Sequence, residues 1–299
     1  DGFRCDMAEM VPAAFWAYAT KVVKTVYPHI IFIGEVYNPS LYRTYIGAGF
    51  DLLYDKVGMY DSLRDIVCGR RWASDITTQW QQTDDIRDHM LYFLENHDEQ
   101  RIASDFFAGE PWAAYPAHMV SCLLHTNPYM LYAGQELGER GMDKEGFSGR
   151  DGRSTIFDYW SMDSVNHGYF DIRKKTPSER KLMEAYKRVM LIAEKEKAAS
   201  RGLTFDLMYV NGHLAQSQYA FLRKKDDELL LVVANFAAEA IDTGVIIPSH
   251  AFEYMSIAEG DADAVDLLSD GKAKLHLAVN EAVNVAVPAH GGVVYKIKQ

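Results

Sequence analysis

The sequence predicts two successive architectures, an α/β region built on a parallel sheet and then an antiparallel β-sandwich. Three observations carry that prediction. Short apolar runs alternate with helically spaced segments up to about residue 200, and from residue 201 the pattern changes to short alternating runs separated by turn residues. The 299 residues, 48% of them hydrophobic, are enough to bury the core of one large domain or two.

Residues 2–6 read as the end of a strand, and residues 12–27 have helical spacing through Phe15, Ala19, Val22, Val23 and Val26 until Pro28 stops them. Ile30-Ile31-Phe32-Ile33 is a continuous apolar run between a proline and Gly34, which predicts a strand covered on both faces. The alternation repeats with a strand at 50–54, a helix at 60–67, a strand at 90–94, a helix at 113–124, a strand at 129–133 and a helix at 177–197. Strands separated by helices predict βα units and a parallel sheet, open or closed into a barrel. Short runs at 203–210, 219–223, 229–235, 243–247, 274–277 and 293–297 follow, punctuated by Asn211-Gly212, Lys225-Asp226-Asp227 and Asp270-Gly271. That is a sandwich pattern, so a boundary is expected near residue 200.

Charge and cysteine content exclude several function classes. A formal net charge of −11 without a basic stripe disfavours broad electrostatic binding of nucleic acid. No apolar run approaches the roughly 18 residues of a spanning helix. Cys5, Cys68 and Cys122 are an odd set without CxxC spacing, against a disulfide framework or a zinc knuckle. There is no GxGxxG, phosphate-loop, HExxH or HxH motif, and Gly146-Phe147-Ser148-Gly149-Arg150 misses the final glycine of a nucleophile elbow. The compartment stays open between secretion and a reducing interior, the latter suited by unpaired cysteines.

Three predicted strands end in acids: Asp6, Glu35 and Asp98. Functional groups of parallel βα architectures gather at the carboxyl ends of strands, so these acids can converge on one pocket. Arg4 and Asp6 lie two apart and share a strand face, and a guanidinium beside Asp6 favours the ionised carboxylate that a glycosidase nucleophile requires. Glu35, expected to meet the like charges of Asp6 and Asp98, is then the natural general acid. Duller roles exist for each: a structural ion pair for Asp6, a helix cap for Glu35, a core histidine for His97.

These residues also carry a family resemblance. Gly2-Phe3-Arg4-Cys5-Asp6-Met7-Ala8 resembles the strand-4 motif of the α-amylase superfamily, Gly34-Glu35-Val36 its strand-5 motif, and Glu95-Asn96-His97-Asp98 its strand-7 motif. The segment around Tyr129-Met130-Leu131-Tyr132-Ala133-Gly134-Gln135-Glu136 resembles the strand-8 region, the stretch from Phe50-Asp51 to Tyr60-Asp61 the strand-6 region, and the trailing sandwich domain C.

The resemblance implies a partial (β/α)8 TIM barrel, strands 4–8, over residues 1–200, followed by a β-sandwich domain C over residues 201–299. It implies a retaining glycoside hydrolase of α-amylase type that cleaves α-1,4-glucosidic bonds in starch-like glucans or maltooligosaccharides by double displacement. Asp6 would be the nucleophile, Glu35 the acid/base and Asp98 the transition-state stabiliser. Arg4 would steady Asp6, and His97 and Tyr37 would contact the sugar. No cofactor is certain; calcium is possible, and no metal ligand is assigned. Glu9-Met10 stands where many members have Lys-His, which slightly favours an α-glucan transglycosylase; a non-catalytic glucan-binding remnant is the third reading. Since strands 1–3 of such a barrel would precede Asp1, the other half is expected from an upstream segment, a companion chain or a second copy. Tyr37, Tyr42, Phe147, Tyr159 and Trp160 are candidates to stack on sugars, with core packing as the alternative, and Glu136 is expected to organise hydrogen bonds.

Overall fold

A computed structural model describes residues 1–143, 150–157 and 160–299. Five short strands, β1 Gly2–Cys5, β2 Ile31–Gly34, β3 Leu52–Tyr54, β4 Met90–Phe93 and β5 Tyr129–Met130, pair in chain order into one parallel, curled sheet, a half-barrel. Between them lie α1 Ala13–Val26, α2 Tyr42–Gly47, α3 Asp61–Val67, α4 Asp75–Gln82 and α5 Tyr115–Leu123. After β5 come a short turn α6 Asp163–Val165, the long α7 Pro177–Lys195 and α8 Lys197–Arg201. Pro177 at the first turn of α7 and a reciprocal capping box between Thr176 and Glu179 fix where that helix begins.

The remaining strands are antiparallel. A six-stranded sheet combines β6 Leu203–Asp206, β7 Gln218–Lys225, β8 Glu228–Asn235, β10 Gly260–Asp266, β11 Lys272–Leu277 and β13 Gly291–Lys298. β9 Ile241–Ile246 pairs with β12 Ala282–Val287, and α9 Ser249–Met255 lies between β9 and β10. The fold is thus a partial parallel barrel followed by an all-β region.

One apolar core runs through both regions. All nine residues of α5 are buried, and its Met119, Val120 and Leu123 join the cluster that holds Leu231 and Val233 of β8 and Val294 of β13. Gly292 makes this docking possible: a Cβ there would lie 2.4 Å from Met119 Cε. The side chain of Arg223 on β7 is fully buried and donates to the carbonyls of Leu123 (2.8 Å), Ala199 (2.7 Å) and Gly202 (3.0 Å), capping the ends of α5 and α8.

The Ile30–Ile33 run differs from the two-sided burial expected of it. Phe32 is buried against Phe50 on the helix side, but Ile31, on the inner face, is 45% exposed. The cause is that, among the described residues, only five strands curl round that face, which leaves the barrel open beside Ile31. β1 has one neighbour, and beside it Phe3, Phe15, Tyr18, Val22 and Val26 are exposed. Asn211-Gly212 opens a 3-10 turn rather than a hairpin. No helix among the described residues is long and apolar enough to cross a membrane.

Candidate active site

The parallel register builds the site. Arg4 lies opposite Ile33 and Cys5 opposite Gly34, so Asp6 and Glu35 leave adjacent strands side by side. Gly34 permits the close approach: a Cβ there would meet Leu53 at 2.8 Å and Phe50 at 2.9 Å. The Glu35 amide donates to the Cys5 carbonyl at 3.1 Å, extending the ladder by one bond into the acids.

Arg4 joins two of the predicted residues. One of its terminal nitrogens donates to Asp6 Oδ1, and the other pairs with Glu35 Oε1 at 3.0 Å. Its guanidinium also lies 5.6 Å from the centroid of the Tyr54 ring. Burial alone would lower the Arg4 pKa; hydrogen bonding to Tyr54 and Asp6 and the charge of Glu35 outweigh it and raise the pKa above its ordinary value. The expected crowding of Glu35 against bare carboxylates is therefore corrected: a cation stands between it and Asp6, because the long Arg4 side chain reaches both from the same face of β1. The Glu35 side chain is 5% exposed, that of Asp6 76%.

A second donor to Glu35 was not visible in the sequence. Met7 adopts left-handed backbone torsions (φ 44°, ψ 42°), and its N–H reaches Glu35 Oε2 at 2.6 Å. A non-glycine residue in this region carries strain of order 1–3 kcal/mol, held here directly beside an acid.

Tyr37 borders Glu35. Burial, and after it the charge of Glu35 and then those of Asp98 and Glu99, push its phenol pKa up. Lys56 Nζ lies 5.9 Å from the Tyr37 ring centroid. The loop after β4 carries the remaining predicted residues: His97 Nε2 is 3.2 Å from Asp98 Oδ2. Asp98 makes no hydrogen bond or ion pair with Asp6 or Glu35 among the described residues, and Tyr37 is the group that feels charge from both sides. Arg4, Asp6, Glu35 and Tyr37 thus form one cluster, and His97 with Asp98 form its flank.

That loop is anchored by residues whose roles the sequence did not reveal. Asn96 Oδ1 accepts from the amides of Asp98 (2.8 Å) and Glu99 (3.0 Å). Glu99 is held by Tyr60 (3.0 Å), Arg64 (3.1 Å) and Lys56 (3.2 Å). Behind it the fully buried Arg101 pairs with Glu95 at 2.7 Å, stacks over Tyr132 at 4.1 Å and donates to Ser154 at 2.8 Å. Glu95 stood inside the quoted strand-7 motif, the only sequence signal for this pair.

Of the stacking candidates, Tyr42 is packed in the core and Trp160 is 39% exposed, while Phe147 and Tyr159 lie outside the described residues. Glu136 is buried and accepts from the Gly134 amide (3.2 Å) and the Tyr169 hydroxyl, an organising role. All three cysteines are free. No group of three His, Cys, Asp or Glu side chains among the described residues is arranged to hold a metal ion.

Comparison with known proteins bears on this geometry. Residues 209–298 match the family model for the α-amylase C-terminal all-β domain. Alpha-amylase MalA of Haloarcula japonica is 33% identical over 149 residues, 47% of this chain and 21% of that protein. The family-model match and this homologue support the α-amylase superfamily. A second superfamily relative, neopullulanase 2 of Thermoactinomyces vulgaris, is 22% identical over 249 residues, 80% of this chain and 37% of that protein. The crystal structure of an α-amylase from Geobacillus thermoleovorans in complex with acarbose superposes with a TM-score of 0.74 at 18% identity, covering 100% of this chain and 60% of that one. This chain therefore spans only part of the length of its superfamily relatives.

Proposed function

We propose that this chain carries the acid cluster of a retaining α-glucan hydrolase that cleaves α-1,4-glucosidic bonds in starch-like glucans or maltooligosaccharides. The observation that carries the reading is the bridging of Asp6 and Glu35, from the ends of adjacent parallel strands, by the single guanidinium of Arg4. Double displacement works at a carboxyl separation of about 5–5.5 Å, and two acids bound to one guanidinium are compatible with it.

In the first step the exposed, cation-paired carboxylate of Asp6 attacks the anomeric carbon while Glu35 delivers a proton to the departing glycosidic oxygen. In the second, Glu35 takes a proton from water, which displaces Asp6 from the sugar with net retention. Arg4 holds both carboxyl groups in place throughout. Asp98, next to His97, provides negative charge and hydrogen-bonding capacity for sugar hydroxyls as positive charge builds on the ring. Tyr37 closes the side between Glu35 and Asp98.

The exposed apolar side chains beside β1 support a further part of the proposal, that the rest of a barrel covers this edge, from the same polypeptide or a companion chain. Size-exclusion chromatography of the chain alone tests that part, because a well-behaved, fully folded monomer contradicts it. The chemistry is tested by Glu35→Gln in the complete protein: turnover of maltooligosaccharides is abolished, and retained turnover overturns the assignment. Product analysis with an acceptor sugar separates hydrolysis from glucan transfer.

A further inference from the structure

The turn after β3 is wide and held from within. Lys56–Tyr60 closes as a single π-helical turn, in which the Tyr60 amide donates to the Asp55 carbonyl at 3.1 Å and the Met59 amide to Asp55 Oδ1 at 2.9 Å. A Cβ at Gly58 would lie 2.4 Å from Asp55 Oδ1, so the glycine lets the turn pass close to that buried carboxylate. Single π-helical turns are rare and occur frequently at functional sites. This one sets the direction of its first residue, Lys56, whose side chain is 18% exposed.

Lys56 joins three elements. Its ammonium pairs with Asp61 at the start of α3 (2.8 Å) and with Glu99 in the loop after β4 (3.2 Å), and it lies over the rings of Tyr60 (5.0 Å) and Tyr37 (5.9 Å). Glu99 uses its two oxygens differently. Oε2 takes the Tyr60 hydroxyl and the Arg64 guanidinium, whereas among the described residues Lys56 is the one cation on Oε1. Burial alone would lower the Lys56 pKa; the hydrogen bond to Asp61 and the charges of Glu99 and Asp61 outweigh it and raise the pKa, so the ammonium stays charged.

The rings inside the half-barrel connect this cation to the acids. Tyr60 stacks on Phe93 at 4.9 Å, Phe93 meets Tyr54 at 5.2 Å, and Arg4 lies over Tyr54. One cation thus stands at each end of the row, Arg4 between Asp6 and Glu35 and Lys56 between Asp61 and Glu99. Lys56 is in contact at once with Tyr37, which borders Glu35, and with Glu99, which follows Asp98. Asp98 and Glu99 both donate their amides to Asn96 Oδ1, so displacing one displaces the other.

We propose that Lys56 is a positioning residue of the acid cluster: by clamping Glu99 to the turn after β3 and against Tyr37, it fixes where Asp98 stands relative to Glu35. It acts through Asp98 and not on the substrate. The effect on turnover rests on the proposed hydrolase reading; the clamp on the loop does not.

The experiment combines hydrogen exchange, read by mass spectrometry, with steady-state kinetics on maltooligosaccharides for Lys56→Met, Asp98→Asn and the double variant in the complete protein. In Lys56→Met, peptides covering residues 96–101 should lose about tenfold in protection while those covering β2 and β4 keep theirs. The kcat should fall by about 10- to 100-fold with KM changed by less than about twofold, because a misplaced Asp98 is felt in the transition state. On the Asp98→Asn background the same change should cost less than about threefold, a non-additivity that a general loss of stability would not produce. Lys56→Gln, which has no charge and still donates to one carboxylate, carries the same test should Lys56→Met not fold. Unchanged exchange over 96–101 overturns the proposal, as does an unchanged kcat in active protein or a full loss on both backgrounds. Loosening of 96–101 by Lys56→Met in a protein whose wild type turns over no maltooligosaccharide supports the clamp and refutes the hydrolase reading.

Discussion

Replacing Arg101 with methionine removes one partner of an ion pair that is shut away from water. Arg101 is 0% and Glu95 1% exposed, so among the described residues the surviving carboxylate keeps only the Ile102 amide, 2.7 Å away, as a donor. Breaking a buried pair on one side costs about 3–5 kcal/mol. The lost stacking on Tyr132 and the orphaned Ser154 hydroxyl place the effect toward the upper end. For a chain of this size that is roughly 6–10 °C in Tm. Differential scanning calorimetry of Arg101→Met, Glu95→Gln and the double variant measures it. The double variant should recover more than half of the loss, because two neutral side chains leave no buried charge unpaired. Since this pair underlies the loop bearing His97 and Asp98, kcat on maltooligosaccharides should fall in the single variant as well. A drop below about 2 °C, or a double variant no better than Arg101→Met, would refute the reasoning.

Other consequences are equally open to measurement. Gly34→Ala places a methyl group within 2.8 Å of Leu53, so the urea midpoint should fall by the equivalent of about 1–3 kcal/mol; an unchanged midpoint means that β2 and β3 yield more easily than their packing indicates. Met7→Val should lose roughly 1–2 kcal/mol and most turnover, since a β-branched residue resists a φ of 44°, while Met7→Gly keeps both; identical behaviour of the two variants removes the role given to the Met7 amide. Asp55 is fully buried, and burial, opposed by hydrogen bonds from Met59 and Gly58, lifts its pKa to about 6. Its folded pKa lies above the unfolded value, so its stabilising contribution is complete below about pH 4 and lost as pH rises through 6. Urea midpoints between pH 4 and 7 should fall by the equivalent of roughly 2–3 kcal/mol more in the wild type than in Asp55→Asn, and parallel curves would sink the assignment.

Much of the architecture was legible because it depends on local pattern. The strands of the parallel sheet and helices α1, α5 and α7 follow from apolar runs punctuated by proline and glycine. What escaped notice lacked that contrast. α4 has the sequence DITTQWQQ and buries only Ile76, and β10, GDADAVD, alternates small residues with acids instead of a hydrophobic stripe. The Tyr129-to-Ala133 run forms ladder bonds only at its first two residues, and among the described residues no strand lies beyond it in the sheet. At the site, strand-end position made the three acids readable. The double reach of Arg4, the Met7 amide and the Glu95–Arg101 pair depend on which strand lies beside which and how the following loop folds back, information that no spacing within the sequence contains.

The buried guanidinium of Arg223 ties the all-β region to the acid-bearing half at the level of backbone carbonyls. Its acceptors lie at the rear ends of the helices that support the curled sheet, where Thr204 engages the neighbouring Leu124 carbonyl. A shortened chain that kept every acid but ended before Leu203 would therefore strand those groups in an apolar setting and bare one flank of α5. The all-β region serves the acid-bearing strands as their back wall, and cannot be treated as a detachable appendage.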